Sequence, residues 1–465
     1  MAKIKYSDLI EQTFDFPQEE FTYDEGGLSF HGISQMELVE KYGSPLKYTY
    51  LPKISQNISR AREWFASAME KCDYKGSYHY CYVTKSSHYS HVLNEVLKSK
   101  ADLETSSPID LSIMKKLYEQ GLIDVDQVIL FNGFKSDLYL QKIGELINLG
   151  FHNTITIVDH AEEIQKLKTY TSRKIKIGIR IASEEEPKFE FYTSRLGIGY
   201  RDILSFYRDQ IESDPQLDLA MLHFFINTGI NDNAYYWNEL GKCLKVLSDL
   251  KKICPSLRAL NIGGGFPIKN SLNFNYDYAY LVKEIISLIK AECVESGIEE
   301  PAIYTEFGTF SVGESGAVLY KILDQKQQND REKWNMIDGS FMTTLPDTWA
   351  LNKRFVMLPL NRWGDTYERV FLGGLTCDSD DYYNHEQHVN AIYLPVFKKD
   401  EPLYIGFFNT GAYQDTIGGV GGLHHCLIPD PQHVLIDRDE NGELTYKVFA
   451  SQQDESVMMN ILGYK

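Results

Sequence analysis

Eight short runs rich in β-branched and aromatic residues recur along the chain, at 78–84, 101–105, 127–131, 154–158, 174–181, 217–226, 258–262 and 302–306. Amphipathic stretches such as HVLNEVLKSK, SDLYLQKIGELINLG and YLVKEIISLIKAECVESG lie between most of them. Strand and helix in alternation predict parallel βα units. The same periodicity permits an open doubly wound sheet, but the count of eight favours a closed (β/α)8 barrel of the TIM type. In such a barrel the reactive groups stand at the C-terminal ends of the strands. Those ends carry Lys85, Glu104 in LETSS, Asn132-Gly133, Arg180, HFFINTG, IGGGF and Glu306 in TEFG.

Lys85 closes the run YHYCYVTK, and on its own a lysine there would be a solvated strand end. Its company argues for more. Gly263, Gly264 and Gly265 follow a short apolar strand, and without Cβ atoms they allow backbone N–H groups to approach an anion. They are not a GxGxxG dinucleotide fingerprint. A rim amine, a phosphate turn and a rim carboxylate in one barrel have a single economical explanation, pyridoxal 5'-phosphate. Lys85 would hold its aldehyde covalently, and Glu306 would keep its pyridine nitrogen protonated.

Composition removes several other classes. With 47 basic and 65 acidic residues the net charge is −18, which disfavours nucleic acid and anionic membrane as partners. No apolar run approaches the roughly 18 residues of a membrane span, and the start MAKIKYSDLIEQTFDF shows no signal core. The seven cysteines are scattered and form no CxxC pair, which fits a reducing, cytoplasmic setting. SEEE at 183–186 and the doublet His424-His425 offer metal-ligand chemistry, but no ligand set converges in sequence, so no metal site is expected. A magnesium requirement leaves no motif here.

After residue 310 the rhythm changes to short apolar runs, FVMLPL, RVFLGGL, NAIYLPVF, LYIGFF, HVLIDRD and YKVFA, with a turn signal near 439–442. The expected organisation is an N-terminal segment, 1–45, that joins a β-rich domain, then a barrel over 46–323, then the β domain over 324–465. The polar run DQKQQNDREKW at 324–334 reads as the connection.

The lysine strand, NIGGGFPI, the rim glutamate, LPDTWA, LTCDSDD and GFFNTGAYQ occur in an order that resembles the fold-type III pyridoxal-phosphate decarboxylases of basic amino acids. Biosynthetic arginine decarboxylases are the most similar members, and the resemblance runs from about residue 45 to the end. It implies an alanine racemase-like barrel with a C-terminal β domain. By position Lys85 resembles the cofactor-linked lysine, Gly263 to Gly265 the phosphate turn, and Glu306 the pyridinium partner. Glu104 and Arg180 resemble barrel residues that pair near the cofactor, and Tyr413 a phosphate-contacting tyrosine. Cys377 resembles the residue that protonates the α-carbon after CO2 leaves. Asp378 and Asp347 resemble carboxylates that receive the distal cation of the substrate. The resemblance also implies a homodimer in which Cys377 and Asp378 complete the partner's site, with assembly beyond the dimer left open.

The chain departs from the family where a stacking histidine and a Gly-Ser pair normally follow strand six. Phe225, Asn227 and Thr228 stand there instead. A phenyl ring can stack but cannot donate a hydrogen bond. His223, two residues before Phe225, shares its face and would line the barrel deeper down. Thr309 replaces a phosphate-binding arginine after Glu306, and a helical insertion after the barrel is missing. The implied reaction is decarboxylation of L-arginine to agmatine, feeding polyamine synthesis. The alternatives are another basic substrate (lysine, ornithine or a carboxylated polyamine precursor) and a catalytically silent regulatory relative. A racemase would place an arginine, not Glu306, against the pyridine nitrogen.

Overall fold

The structure is a computed structural model that describes residues 19–184, 194–226, 230, 233–383 and 392–464. It divides into two compact units, one of residues 54–267 with 276–311, the other of 1–53, 268–275 and 312–465.

In the first unit all eight expected runs are strands: β1 (Tyr78–Val83), β2 (Asp102–Thr105), β3 (Ile129–Phe131), β4 (Thr154–Val158), β5 (Ile175–Ala182), β6 (Leu217–His223), β7 (Ala259–Asn261) and β8 (Ala302–Phe307). Each pairs in parallel with the next, and β8 returns to β1, so the sheet closes into a barrel. The expected open-sheet alternative is therefore excluded. β6 stops at His223, short of the expected 226, because its neighbour β7 ends at Asn261. Cys81, Leu130, Ile155, Ile157, Met221, Ala259 and Tyr304 pack together in the barrel core.

Helices cross between the strands, as the amphipathic stretches foretell. Asp137–Leu149 is one, opened by the Ser136 hydroxyl accepting from the Tyr139 N–H and closed by Gly150 at φ +115°. Tyr278–Ser296 is capped in the same way by Asp277 and Gly297.

The second unit holds a ten-stranded sheet. Its strands run in the order Tyr382–Tyr383, Tyr367–Gly373, Glu332–Ile337, Gly316–Asn329, Leu46–Tyr50, Gln432–Arg438 and Leu444–Ala450. Leu403–Phe408 branches from Gly316–Asn329 and carries Val356–Pro359, while Ile392–Pro395 adds to Tyr367–Gly373. Leu46, Tyr48, Leu319, Leu358, Phe408 and Ile436 share one of its apolar clusters.

The boundaries differ from those expected at 45/46 and 323/324. Leu46–Tyr50 is a central strand of the β unit, antiparallel to Gly316–Asn329 and parallel to Gln432–Arg438, and the buried side chains of Leu46, Tyr48 and Tyr50 commit it there. The polar run at 324–334 is not a connection either. It spans most of a hairpin in which Asp324 to Asn329 pair with Met336 to Glu332. Backbone ladder bonds hold these polar strands, so the segment needs no buried face to be ordered. The turn signal holds: Asp439 Oδ1 accepts from the N–H groups of Asn441 and Glu443, and Gly442 takes φ +84°.

Candidate active site

The register of β5, β6 and β7 sets three polar residues at one level. His223 lies opposite Arg180 on one side and opposite Asn261 on the other. Asn261 in turn pairs with Tyr304, and Glu306 stands two residues further along β8 on the same face. The result is a dry polar cluster at the C-terminal rim. The Glu306 carboxylate accepts from Asn261 Nδ2 at 2.7 Å, from His223 Nε2 at 3.2 Å and from Asn132 Nδ2 at 3.4 Å. Asn132 Oδ1 accepts from Arg180 Nη1 at 3.4 Å.

Burial alone would raise the Glu306 carboxyl, but His223, Asn261 and the charge of Lys85 together hold it below the usual range. Glu104, one strand beyond β1, goes the other way. Burial, against the pull of Lys85 and with the negative charge of Glu306 nearby, pushes it up to about 8. The rim therefore holds one ionised and one protonated carboxyl at neutral pH, the divided arrangement that suits acid–base work. Lys85 sits in the short 3₁₀ turn Thr84–Ser86 that leaves β1, with its charge felt at both carboxyls.

Two expectations change. Glu104 and Arg180 do not form a direct pair: both Glu104 oxygens and Arg180 Nε are buried without a hydrogen-bond partner. Arg180 instead reaches Asn132 and lies over the Phe225 ring, 5.6 Å from its centroid. His223 does more than line the barrel, since it is one of three donors that keep Glu306 ionised. Thr228, together with Asn227, lies outside the described residues.

The glycine turn is shaped by close approach. A Cβ on Gly264 would stand 2.1 Å from the Glu306 carbonyl oxygen, and one on Gly263 2.8 Å from that of Phe224. Gly263 and Gly265 adopt φ +67° and +95°. The Gly263 N–H is committed to Asn261 Oδ1 at 2.8 Å, so a phosphate would have to use those of Gly264 and Gly265. Thr309 is half-buried at the start of the short helix Thr309–Val312. Orphaned buried polar atoms are rare unless a ligand or water completes them. Those of Glu104, Arg180 and His223, beside an ionised Glu306 with acceptor capacity left, fit the ring and substituents of a pyridoxal group.

In the β unit, the segment LTCDSDD is folded around Asp381, which is buried. Its Oδ1 accepts from the Phe341 N–H at 2.8 Å and its Oδ2 from the Thr376 hydroxyl at 2.7 Å. Part of this acidic turn is therefore structural. Cys377 is exposed, and the Asp378 carboxylate lies 3.6 Å from His425 Nε2. Cys377 Sγ is 3.5 Å from Cys426 Sγ, and that hydrogen bond, followed by the charge the Cys426 thiolate would carry, raises its thiol above the ordinary value. Asp347 is buried, tied to Gln414 Nε2 at 2.7 Å and to Lys353 Nζ at 3.2 Å, with Oδ1 left unpaired. Tyr413 takes φ +69°, an unusual backbone for a residue with a side chain.

Sequence reasoning missed the roles of Asn132, Asn261 and Asp381, and it set aside His425. A lone asparagine inside an apolar strand, as in LNIGGG, was the available signal.

Residues 55–313 match the family model of the pyridoxal-dependent decarboxylases, in its pyridoxal binding domain. The biosynthetic arginine decarboxylase of Prochlorococcus marinus (strain MIT 9215) is 21% identical over 90% of this chain and 83% of its own length. Among solved structures, the biosynthetic arginine decarboxylase of Campylobacter jejuni superposes with TM-score 0.80 at 18% identity, over 96% of this chain and 89% of that one. The diaminopimelate decarboxylase of M. jannaschii superposes with TM-score 0.77 at 17% identity, over 95% and 97%. These structural likenesses establish the fold, and the match over more than half of the chain establishes that it belongs to the pyridoxal-dependent decarboxylase family.

Proposed function

We propose that this chain decarboxylates L-arginine to agmatine and CO2, as a cytoplasmic homodimer whose subunits complete each other's sites, in the service of polyamine synthesis. The observation that carries the reading is the buried polar cluster at the rim: a Glu306 carboxylate accepting from Asn261, His223 and Asn132, with the orphaned polar atoms of Glu104 and Arg180 in the same cluster. Lys85 would hold pyridoxal phosphate covalently, Phe225 would lie against its ring, and Gly264, Gly265, Thr309 and Tyr413 would contact its phosphate. When bound, that group supplies the electron sink for the charge left as CO2 departs.

The chain's own residues do the rest. Glu306 presents a fixed negative charge to a ring N–H, and its three donors prevent it from taking that proton itself. Arg180 and Phe225 hold each other through the guanidinium lying over the ring. Cys377 keeps its proton near neutral pH and would deliver it to the substrate α-carbon. Asp378 would bind the guanidinium, with the orphaned Oδ1 of Asp347 as a second acceptor. Asp347 is already neutralised by Lys353, so Asp378 should carry more of the specificity.

The test is direct. The purified protein is mixed with pyridoxal phosphate and L-arginine, and CO2 and agmatine are followed. Release of both in equal amounts supports the reading. Release from lysine or ornithine but not from arginine moves the substrate and keeps the chemistry. No release from any of them, with no cofactor absorbance, favours the regulatory alternative.

A further inference from the structure

Among the described residues, one cluster of nucleophilic and ligating side chains outside the barrel rim joins Cys377, the proposed proton donor, to two residues that the proposed chemistry does not use. Cys377, His425 and Cys426 come from two segments far apart in sequence, and their ligand atoms all lie within 4.8 Å of one another. All three are exposed, so none is buried for packing. The first segment is held firmly. Asp381 ties it down with its bonds to Phe341, Met342 and Thr376.

The second contains an unusual backbone. Cys426 and Leu427 have φ +53° and +54°, successive non-glycine residues in the left-handed region. Each costs about 1–2 kcal/mol. Leu427 is 48% exposed, so apolar burial does not offset that strain. What the turn achieves is to set His425 Nε2 and Cys426 Sγ beside Cys377.

The sulfur–sulfur separation suits a tetrahedral ion. Zinc–sulfur bonds of ~2.3 Å and zinc–nitrogen bonds of ~2.0–2.1 Å imply ligand separations of ~3.3–3.8 Å. The Cys377–Cys426 sulfur separation is 3.5 Å. The Asp378 carboxylate adjoins the cluster through His425 alone, 3.6 Å from its Nε2, so the fourth position of a tetrahedron is left to water. Thiolate and imidazole donors select zinc-class ions over magnesium or calcium.

We infer that Cys377, His425 and Cys426, with Asp378 adjoining, form a binding site for a zinc-class divalent cation, and that an ion bound there silences turnover. The first half stands on the cluster alone. The second rests on the proposed role of Cys377. Two metal–sulfur bonds form, both thiol protons pass to solvent, and Cys377 then has no proton to deliver. Turnover would therefore respond to free zinc.

The experiment titrates the holoenzyme with Zn2+ by calorimetry in buffers of different ionisation enthalpy, and with Co2+ by absorption in the red, clear of the cofactor. One ion per chain, release of the thiol protons and the intense visible bands of tetrahedral cobalt are expected. Cys426→Ser should weaken zinc at least ~100-fold. His425→Gln, a change at an exposed position, gives the same comparison if the serine variant does not fold. Saturating zinc should lower wild-type turnover more than ~10-fold, reversibly on chelation, as loss of a proton donor would. A pale octahedral cobalt spectrum, or zinc binding unchanged in both variants, overturns the site. Tight tetrahedral binding with undiminished turnover upholds the site and overturns instead the proton-donor role of Cys377.

Discussion

The barrel rim and the LTCDSDD loop carry the two halves of the proposed chemistry and are built in opposite ways. At the rim, parallel ladders fix each polar residue, and burial makes their electrostatics strong enough to drive two carboxyls apart. In the loop, one buried aspartate does the fixing while Cys377 and Asp378 stay in contact with solvent. A buried site tunes protonation through the cost of charge in a dry place. An exposed one must rely on neighbours, which for Cys377 is the adjacent Cys426 thiol.

The largest effect that separates the two is expected from Lys85→Ala. Cofactor absorbance and turnover should both vanish, since the only rim amine in this turn would be gone. Unchanged turnover in that variant would sink the scheme. Glu306→Gln comes next, with cofactor retained and kcat lower by on the order of 10²-fold, read by steady-state kinetics.

Asp381→Ala tests the loop rather than the rim. Removing four accepted hydrogen bonds from a buried carboxylate should cost about 2–4 kcal/mol in chemical denaturation and lower kcat through Cys377. A normal kcat in that variant would show that the loop needs no anchor.

Glu104→Gln sharpens the burial argument through pH. The folded carboxyl sits at about 8 and the free one at 4.5, so the folded state binds the extra proton between them. Glu104 therefore favours folding fully below pH 4.5, and that contribution is lost as pH rises through 8, by up to ~1.4 kcal/mol per unit. In cofactor-free protein the glutamine variant should flatten this slope in denaturation midpoints. An unaltered slope would place the titration on another group. The smallest change is Thr309→Arg, expected to tighten pyridoxal phosphate binding a few-fold through a charged phosphate contact. No change in affinity would put residue 309 away from the phosphate.

Much of this was legible in the residues. Eight β-rich runs separated by amphipathic helices favoured the barrel by their count, and only the pairing of the last strand with the first excluded an open sheet. Lys85, the glycine turn and Glu306 were candidates in the sequence because each stands at a strand end, and the glycines turn out to have a packing reason as well, the close approach of the Glu306 and Phe224 carbonyls. The polar hairpin at 324–334 was misread as a connection, since ladder bonds leave no hydropathy signal. The divided boundary at 46–53 and 312–323 was equally hidden, because a strand does not announce which sheet it joins.

By itself, then, the sequence determined the alternation, the strand ends and the residue types that chemistry would need. Tertiary structure alone decided which of them meet. Leu217 and Leu219 pair with Ile175 and Ile177, and counting by twos from there would turn His223 to the opposite face from Arg180. A register shift between Leu219 and Met221 inserts one residue and reverses the phase, so that His223 pairs with Arg180 and reaches Glu306. Cys377 and Cys426 likewise meet only because Asp381 and a left-handed turn fold their loops together. Neither event is local, and local pattern is all that a single sequence displays.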